Sequence, residues 1–160
     1  YFDRGPIHEE HMILGGYWST YWYNGKIYGT EIARGMDVFQ LVASEYLSEN
    51  EVAAALLADQ GELFNPQQQF RVTWPAVPVV ARAYIDQLNR ANALSDSQNA
   101  DLSAALDRAD SRLEAGRSDA ELAASIDALA ASLGDDRNAA TMKRKAALGE
   151  TLGGIAASLR

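Results

Sequence analysis

The apolar positions of this chain follow two different patterns, and they change over near residue 44. From Ser44 onward, alanine and leucine dominate and apolar residues recur three or four positions apart, the spacing of one face of a helix. Ser48-Glu49-Asn50-Glu51 has the form of a capping box and predicts a short helix through about Asp59, closed by Gly61. Pro78 suits the first turn of a second helix running to about Asn92, with Val80, Ala83, Tyr84, Leu88 and Ala91 on its stripe. Ser95 with Gln98 opens a third, striped by Leu102, Leu106, Ala109 and Leu113. Ser118 with Glu121 opens a fourth, striped by Leu122, Ile126, Leu129 and Leu133 and closed by Gly134. A fifth starts after Asp135 and carries Leu148, Leu152, Ile155 and Leu159. The short third-to-fourth connection predicts an antiparallel helix hairpin. Gly149, Gly153 and Gly154 each weaken a helix interior by about 1 kcal/mol relative to Ala, so the last helix is expected to fray or bend. Between the first two helices, residues 62–75 read as an extended tether, because Asn65-Pro66 and Trp74-Pro75 disfavour helix.

Before residue 44 the pattern is that of strands and turns. Residues 15–41, "GGYWSTYWYNGKIYGTEIARGMDVFQL", hold two of the three tryptophans and four of the seven tyrosines. Asn24-Gly25 is the strongest short hairpin signal, since a type I′ turn needs positive φ at both central positions. It predicts a hairpin of Tyr17–Tyr23 with Lys26–Ile32. Ala33-Arg34-Gly35 predicts a three-residue loop into a third strand, Met36–Leu41. The turn lengths set the register: Trp22 opposite Ile27, Tyr21 opposite Tyr28, Thr20 opposite Gly29 and Trp18 opposite Glu31, then Glu31 opposite Asp37, Gly29 opposite Phe39 and Ile27 opposite Leu41. One face would carry Trp18, Thr20, Trp22, Ile27, Gly29, Glu31, Asp37, Phe39 and Leu41. The other would carry Tyr17, Ser19, Tyr21, Tyr23, Lys26, Tyr28, Thr30, Ile32, Met36, Val38 and Gln40. Neither face is plainly polar, whereas a sheet wetted on one side alternates. A sheet covered on both sides, as a propeller blade is by its neighbours, accounts for this better than an aromatic ligand platform.

Composition narrows the function classes. The chain has 160 residues, 48% of them hydrophobic, enough for one domain or two small ones, with a net charge of −8 and a pI near 4.7. That charge disfavours sequence-independent nucleic-acid binding, which needs a basic footprint, and docking on anionic membranes. There is no cysteine, so disulfides and thiolate metal sites are excluded. The longest apolar run, Val52 to Ala58, is too short to span a bilayer. No signal peptide is visible. Tyr1-Phe2 reads as the middle of a strand, which predicts a chain whose beginning lies elsewhere.

Three clusters are candidates for chemistry. His8-Glu9-Glu10-His11 places two histidines three apart; the metalloprotease helix needs them four apart, and Gly5-Pro6 points to an exposed acidic loop instead. Lys143-Arg144-Lys145 reads as a solvated helix face. Glu31 and Asp37, directly opposed by register, would repel. Arg34 at the intervening turn, Arg4 or a bound cation such as calcium would offset that repulsion. With Trp18 beside them they also form the kit of a carbohydrate site or glycosidase. Structural ion pairing is the first reading, ligand or cation binding at Trp18, Glu31, Asp37 and Arg34 the second, and catalysis the third. No cofactor is called for beyond that calcium.

Several stretches in order, "YFDRGPI", "GGYWSTYWYNGKIYGTEIARGMDVFQL", "SEYLSENEVAAA", "FNPQQQFRVTWPA" and "VVARAYIDQLNR", resemble the C-terminal part of bacterial LVIVD-repeat proteins. These are exported β-propeller proteins without a well-defined activity. The likeness covers most of the chain and is strongest over residues 1–92; His8 and His11 depart from it. It implies that the strands are the end of a propeller and the helices a C-terminal extension, secreted or at the cell surface, with the remainder of the propeller as partner. The expected architecture is α+β: a three-stranded antiparallel meander over 1–43, a short helix and tether over 44–75, and a helical extension of four to five helices over 76–160. The expected role is that of a non-enzymatic scaffold or binding segment, with a small ligand or a protein as partner. The rival is a carbohydrate- or cation-binding, or hydrolytic, site on Trp18, Glu31 and Asp37.

Overall fold

A computed structural model describes residues 3–61, 65 and 71–160. A three-stranded antiparallel sheet is followed by five helices, the α+β architecture that the sequence predicts. The chain divides into two compact units, Tyr1–Val42 with Gln60–Arg71 and Ala43–Asp59 with Val72–Arg160.

In the first unit, β1 (Tyr17–Tyr23), β2 (Lys26–Glu31) and β3 (Gly35–Phe39) form a meander in sequence order. Asn24 and Gly25 both take positive φ, 48° and 73°, as a type I′ turn demands. Trp22 pairs with Ile27, Tyr21 with Tyr28 and Thr20 with Gly29, as expected. Then the register changes. Trp18 is an extra residue in a bulge of β1, and Tyr17, not Trp18, stands opposite Glu31. One inserted residue swaps which side chain reaches a given face.

The second hairpin also differs from the turn-length arithmetic. Glu31 pairs with Gly35, Gly29 with Asp37 and Ile27 with Phe39, two residues away from the expected pairing. The loop is Ile32-Ala33-Arg34, and Gly35 takes the positive φ, 90°. The cause is local: the Glu31 carboxylate accepts the backbone N–H groups of Ala33 and Arg34 and so closes the turn one residue earlier. A shift of two leaves every β3 side chain on its expected face, whereas the β1 bulge moves Tyr17 to the face of Glu31. Asp37 and Glu31 therefore share a face, but as diagonal neighbours, not opposed ones. Leu41 lies beyond β3.

In the second unit, α1 (Glu49–Leu56), α2 (Pro78–Arg90), α3 (Asp96–Glu114), α4 (Ala120–Ala131) and α5 (Ala139–Ser158) follow one another. Ser48 with Glu51, and Ser95 with Gln98, form the two capping boxes read from the sequence. Helix α1 stops at Leu56, short of Asp59, which instead bridges to Thr73. The tether expected over residues 62–75 falls largely on 62–64 and 66–70, outside the described residues. Helix α4 is capped by Asp119 and not by Ser118. The Asp119 carboxylate accepts from Leu122 N and Arg112 Nε, at 2.9 and 3.0 Å, and its backbone N–H donates to Leu159 O at 2.7 Å. One residue thus ties α3, α4 and the end of α5 together.

Leu88, Leu102, Leu106, Leu122, Ile126, Leu148, Leu152, Ile155 and Leu159 are fully buried, and burying each stabilises by about 1.5–3 kcal/mol. Helix α2 is buried on two sides. Ala81, Ile85 and Leu88 join this main core, whereas Val80 and Ala83 pack with Ala54 of α1. The single stripe read from the sequence missed Ala81 and Ile85 and included Ala91, which is exposed. At the start of α3, Gln98 donates to Ser132 O beyond α4, which makes the predicted hairpin antiparallel.

The end of the last helix does not fray as expected; it runs unbroken to Ser158, and Leu159 is buried. Gly154 is there for space: a Cβ on it would collide with the Cβ of Ala76. The basic run is likewise more than a solvated face. Arg144 Nε donates to Gln87 at 2.9 Å and Lys145 faces Asp136 at 3.8 Å, while Lys143 is exposed. No helix among the described residues is long and apolar enough to cross a membrane.

Candidate functional site

The two acids singled out by sequence lie on one face at the end of the sheet where β2 turns into β3. Glu31 is buried, with 6% of its surface exposed, and its carboxylate is fully engaged by the backbone. Gly16 N donates to Oε1 at 2.7 Å; Ala33 N, at 2.9 Å, and Arg34 N donate to Oε2. The Gly16 N–H does most to hold the carboxyl below the usual glutamate range. Burial opposes it, and the N–H groups of Arg34 and Ala33 and the Arg34 charge reinforce it. A carboxylate accepting several N–H groups is stabilised in its ionised form. Gly15 is required beside it, because a Cβ there would sit 2.7 Å from Ile7 Cγ1 and 3.3 Å from Glu31 Oε1.

Asp37 has different partners. Arg4 Nη1 lies 3.1 Å from both of its oxygens, and the Tyr17 hydroxyl donates to Oδ2 at 2.5 Å. Tyr17 reaches it across Gly29, whose missing side chain leaves room for the ring: a Cβ would come within 2.8 Å of Tyr17 Cδ1 and Cε1. Phe39 meets Tyr17 edge to face, centroids 5.9 Å apart. Burial, the bond to Asp37 and the Asp37 charge push the Tyr17 phenol up to about 12.

Arg34 was expected to neutralise the acids through its side chain. Its guanidinium instead donates to three carbonyl oxygens of the N-terminal segment, those of Arg4, Gly5 and Pro6, at 3.2, 3.3 and 2.7 Å. Its only hydrogen bond to Glu31 comes from the backbone N–H, and its guanidinium acts on that acid through charge alone. Of the two arginines considered, Arg4 makes the ion pair with Asp37. Trp18 is 79% exposed in its bulge, and Tyr17 takes the place expected for it. The structure therefore joins Glu31, Arg34, Arg4 and Asp37 into one network that ends on the Tyr17 hydroxyl. Tyr17, Gly16 and Gly29 were not read as part of it. The Gly15-Gly16 pair just before the strand was the available signal, because a glycine pair marks close backbone approach.

No protein-family model, curated protein or solved structure matches this chain.

What the network can do chemically follows from its partners. A glycosidase needs one carboxyl held protonated as an acid and a second free to act on water or sugar. Here Glu31 is held ionised under three N–H donors, and Asp37 is spanned by an arginine and a phenol. Both acids serve to fasten the β2–β3 turn, the start of β1 and the Arg4–Pro6 segment to one another. Among the described residues, no three His, Cys, Asp or Glu side chains are grouped to hold a metal ion. His8 and His11 are exposed and stack at 4.5 Å, and His8 Nδ1 accepts the N–H groups of Glu10 and His11, closing a turn in the loop expected there.

Proposed function

We propose that this chain is the C-terminal segment of an exported bacterial LVIVD-repeat β-propeller protein, secreted or cell-surface, with a scaffold or binding role and not an enzymatic one. The observation that carries this reading is the state of the sheet. On the face of Tyr21 and Tyr28, the β3 residues Met36 and Val38 are 62% and 53% exposed, and Trp18 and Tyr23 on β1 are exposed as well. An edge-to-edge run of apolar side chains on an open sheet face marks a surface that belongs against something. A propeller blade has such a face by design, packed on the next blade. The partner is then the remainder of the same propeller, with a small ligand or another protein bound by the whole.

The carbohydrate or hydrolytic alternative depended on Trp18, Glu31 and Asp37 sharing an accessible pocket. Glu31 is buried and both acids are occupied by internal donors, which favours the scaffold reading. The coding sequence immediately upstream of Tyr1 provides the test. It is expected to encode LVIVD-type strand repeats behind an export leader. An upstream frame that encodes neither sinks the proposal.

A further inference from the structure

The helical unit holds a cleft of about 330 Å³ between α1 and α2, within the range of about 300–1,000 Å³ common for small-ligand sites. Ala54, Val80 and Ala83, all buried, line it, and Trp74 and Tyr84 add aromatic surface. Among the described residues Glu51 is the only charged one in the lining, and its charge is already matched. Its Oε1 accepts from Arg90 Nη2 at 2.6 Å and its Oε2 from the Ser48 N–H at 2.8 Å. An ionic ligand would have to displace Arg90 or break the cap of α1. Gln87 differs: its Oε1 is taken by Arg144 Nε, and its amide Nε2 has no partner among the described residues. The cleft therefore offers apolar walls, a few donors (Gln87 Nε2, the Tyr84 hydroxyl and the Trp74 indole N–H) and no unmatched charge among the described residues, the composition of a ligand pocket that orients its guest through a small number of polar contacts.

We propose that the α1–α2 cleft binds a small, uncharged, mostly apolar molecule bearing one carbonyl or amide oxygen, seated on Ala54, Val80 and Ala83 and accepting from Gln87 Nε2. The inference is independent of the propeller reading, since the cleft belongs wholly to the helical unit.

Backbone amide shifts of the 160-residue chain, followed during titration with benzamide at millimolar concentration, test it. Saturable changes centred on Ala54, Ala55, Val80, Ala83 and Gln87 are expected, with weaker binding of benzoate and benzylammonium. Ala55→Trp, which fills the cleft from its rim, should abolish the changes while helix content and melting temperature are kept. Gln87→Leu should weaken benzamide about two- to tenfold, the worth of one hydrogen bond, and leave toluene, which has no acceptor, unaffected. The absence of saturable changes at these residues, changes centred on the sheet instead, or equal binding of the charged probes overturns the proposal. So does an equal loss of toluene and benzamide in Gln87→Leu.

Discussion

Tyr17 on β1 bonds to Asp37 on β3 by crossing Gly29 of the strand between them. The phenol spans the full width of the sheet, and the glycine is the space it passes through. This one relationship explains the bulge at Trp18, the glycine in the middle of a strand, and the placement of an acid in the register position opposite that glycine.

Gly29→Ala is therefore expected to destabilise the sheet although alanine suits a strand at least as well as glycine. The new methyl would press on two ring carbons, and overpacking of this kind costs about 1–3 kcal/mol. Urea denaturation of the variant checks this, and loss of the Tyr17–Phe39 ring contact should accompany it. A variant as stable as the parent would mean that the ring has an easy alternative position.

The raised phenol has a pH signature. The folded state keeps the Tyr17 proton where an unfolded tyrosine, near 10, gives it up. The associated stability is fully present below about pH 10 and is lost as pH rises toward about 12, because the native state binds more protons across that window. Ultraviolet titration of the folded chain should show one tyrosine ionising only near the end of the range. Tyr17→Phe should remove both that late transition and its share of the alkaline loss.

Glu31 gives the opposite sign. Its carboxyl is depressed, so its contribution is present above the unfolded glutamate value of about 4.3 and is lost as pH falls below it, through the folded value. Glu31→Gln should destabilise the sheet at neutral pH, because an amide turns an NH2 toward backbone donors, and should flatten the acid side of the stability curve. Melting temperatures measured from pH 3 to pH 7 distinguish the two. Parallel curves for parent and variant would show that the depressed carboxyl contributes nothing.

Two neighbouring glycines of α5 separate propensity from packing. Gly153 has open space around a would-be Cβ, whereas Gly154 abuts Ala76. Gly153→Ala should stabilise by up to about 1 kcal/mol through helix propensity. Gly154→Ala has the same gain in propensity but must push the Ala76 backbone away, at a cost of about 1–3 kcal/mol, and should be neutral to destabilising. Equal effects in thermal melts would remove the packing explanation for Gly154.

The sequence was most informative where a motif closes on itself. The Asn24-Gly25 turn and the Ser48 and Ser95 capping boxes each involve a few adjacent residues, so their spacing alone defines them. Register was legible only next to the Asn24-Gly25 turn: the Trp18 bulge changes the far end of the first hairpin, and Glu31 taking the Ala33 and Arg34 N–H groups moves the second turn, a choice that no loop-length rule contains. Arg34 was placed correctly at the site but assigned the wrong acceptors, since carbonyls of a distant segment carry no sequence signal. Gly153 and Gly154 look alike as letters; only the approach of Ala76 makes one of them necessary.

The most direct test of the scaffold reading is amide hydrogen exchange on the sheet. It would be measured in the 160-residue chain and again in a chain extended upstream through the proposed repeats. If the open face is built to lie against the rest of a propeller, Tyr21, Tyr28 and Val38 should exchange more slowly in the longer chain by an order of magnitude or more, while the amides of α3 and α4 stay unchanged. Identical exchange at these three residues in both chains would contradict it, and would leave the apolar face without a partner in its own protein.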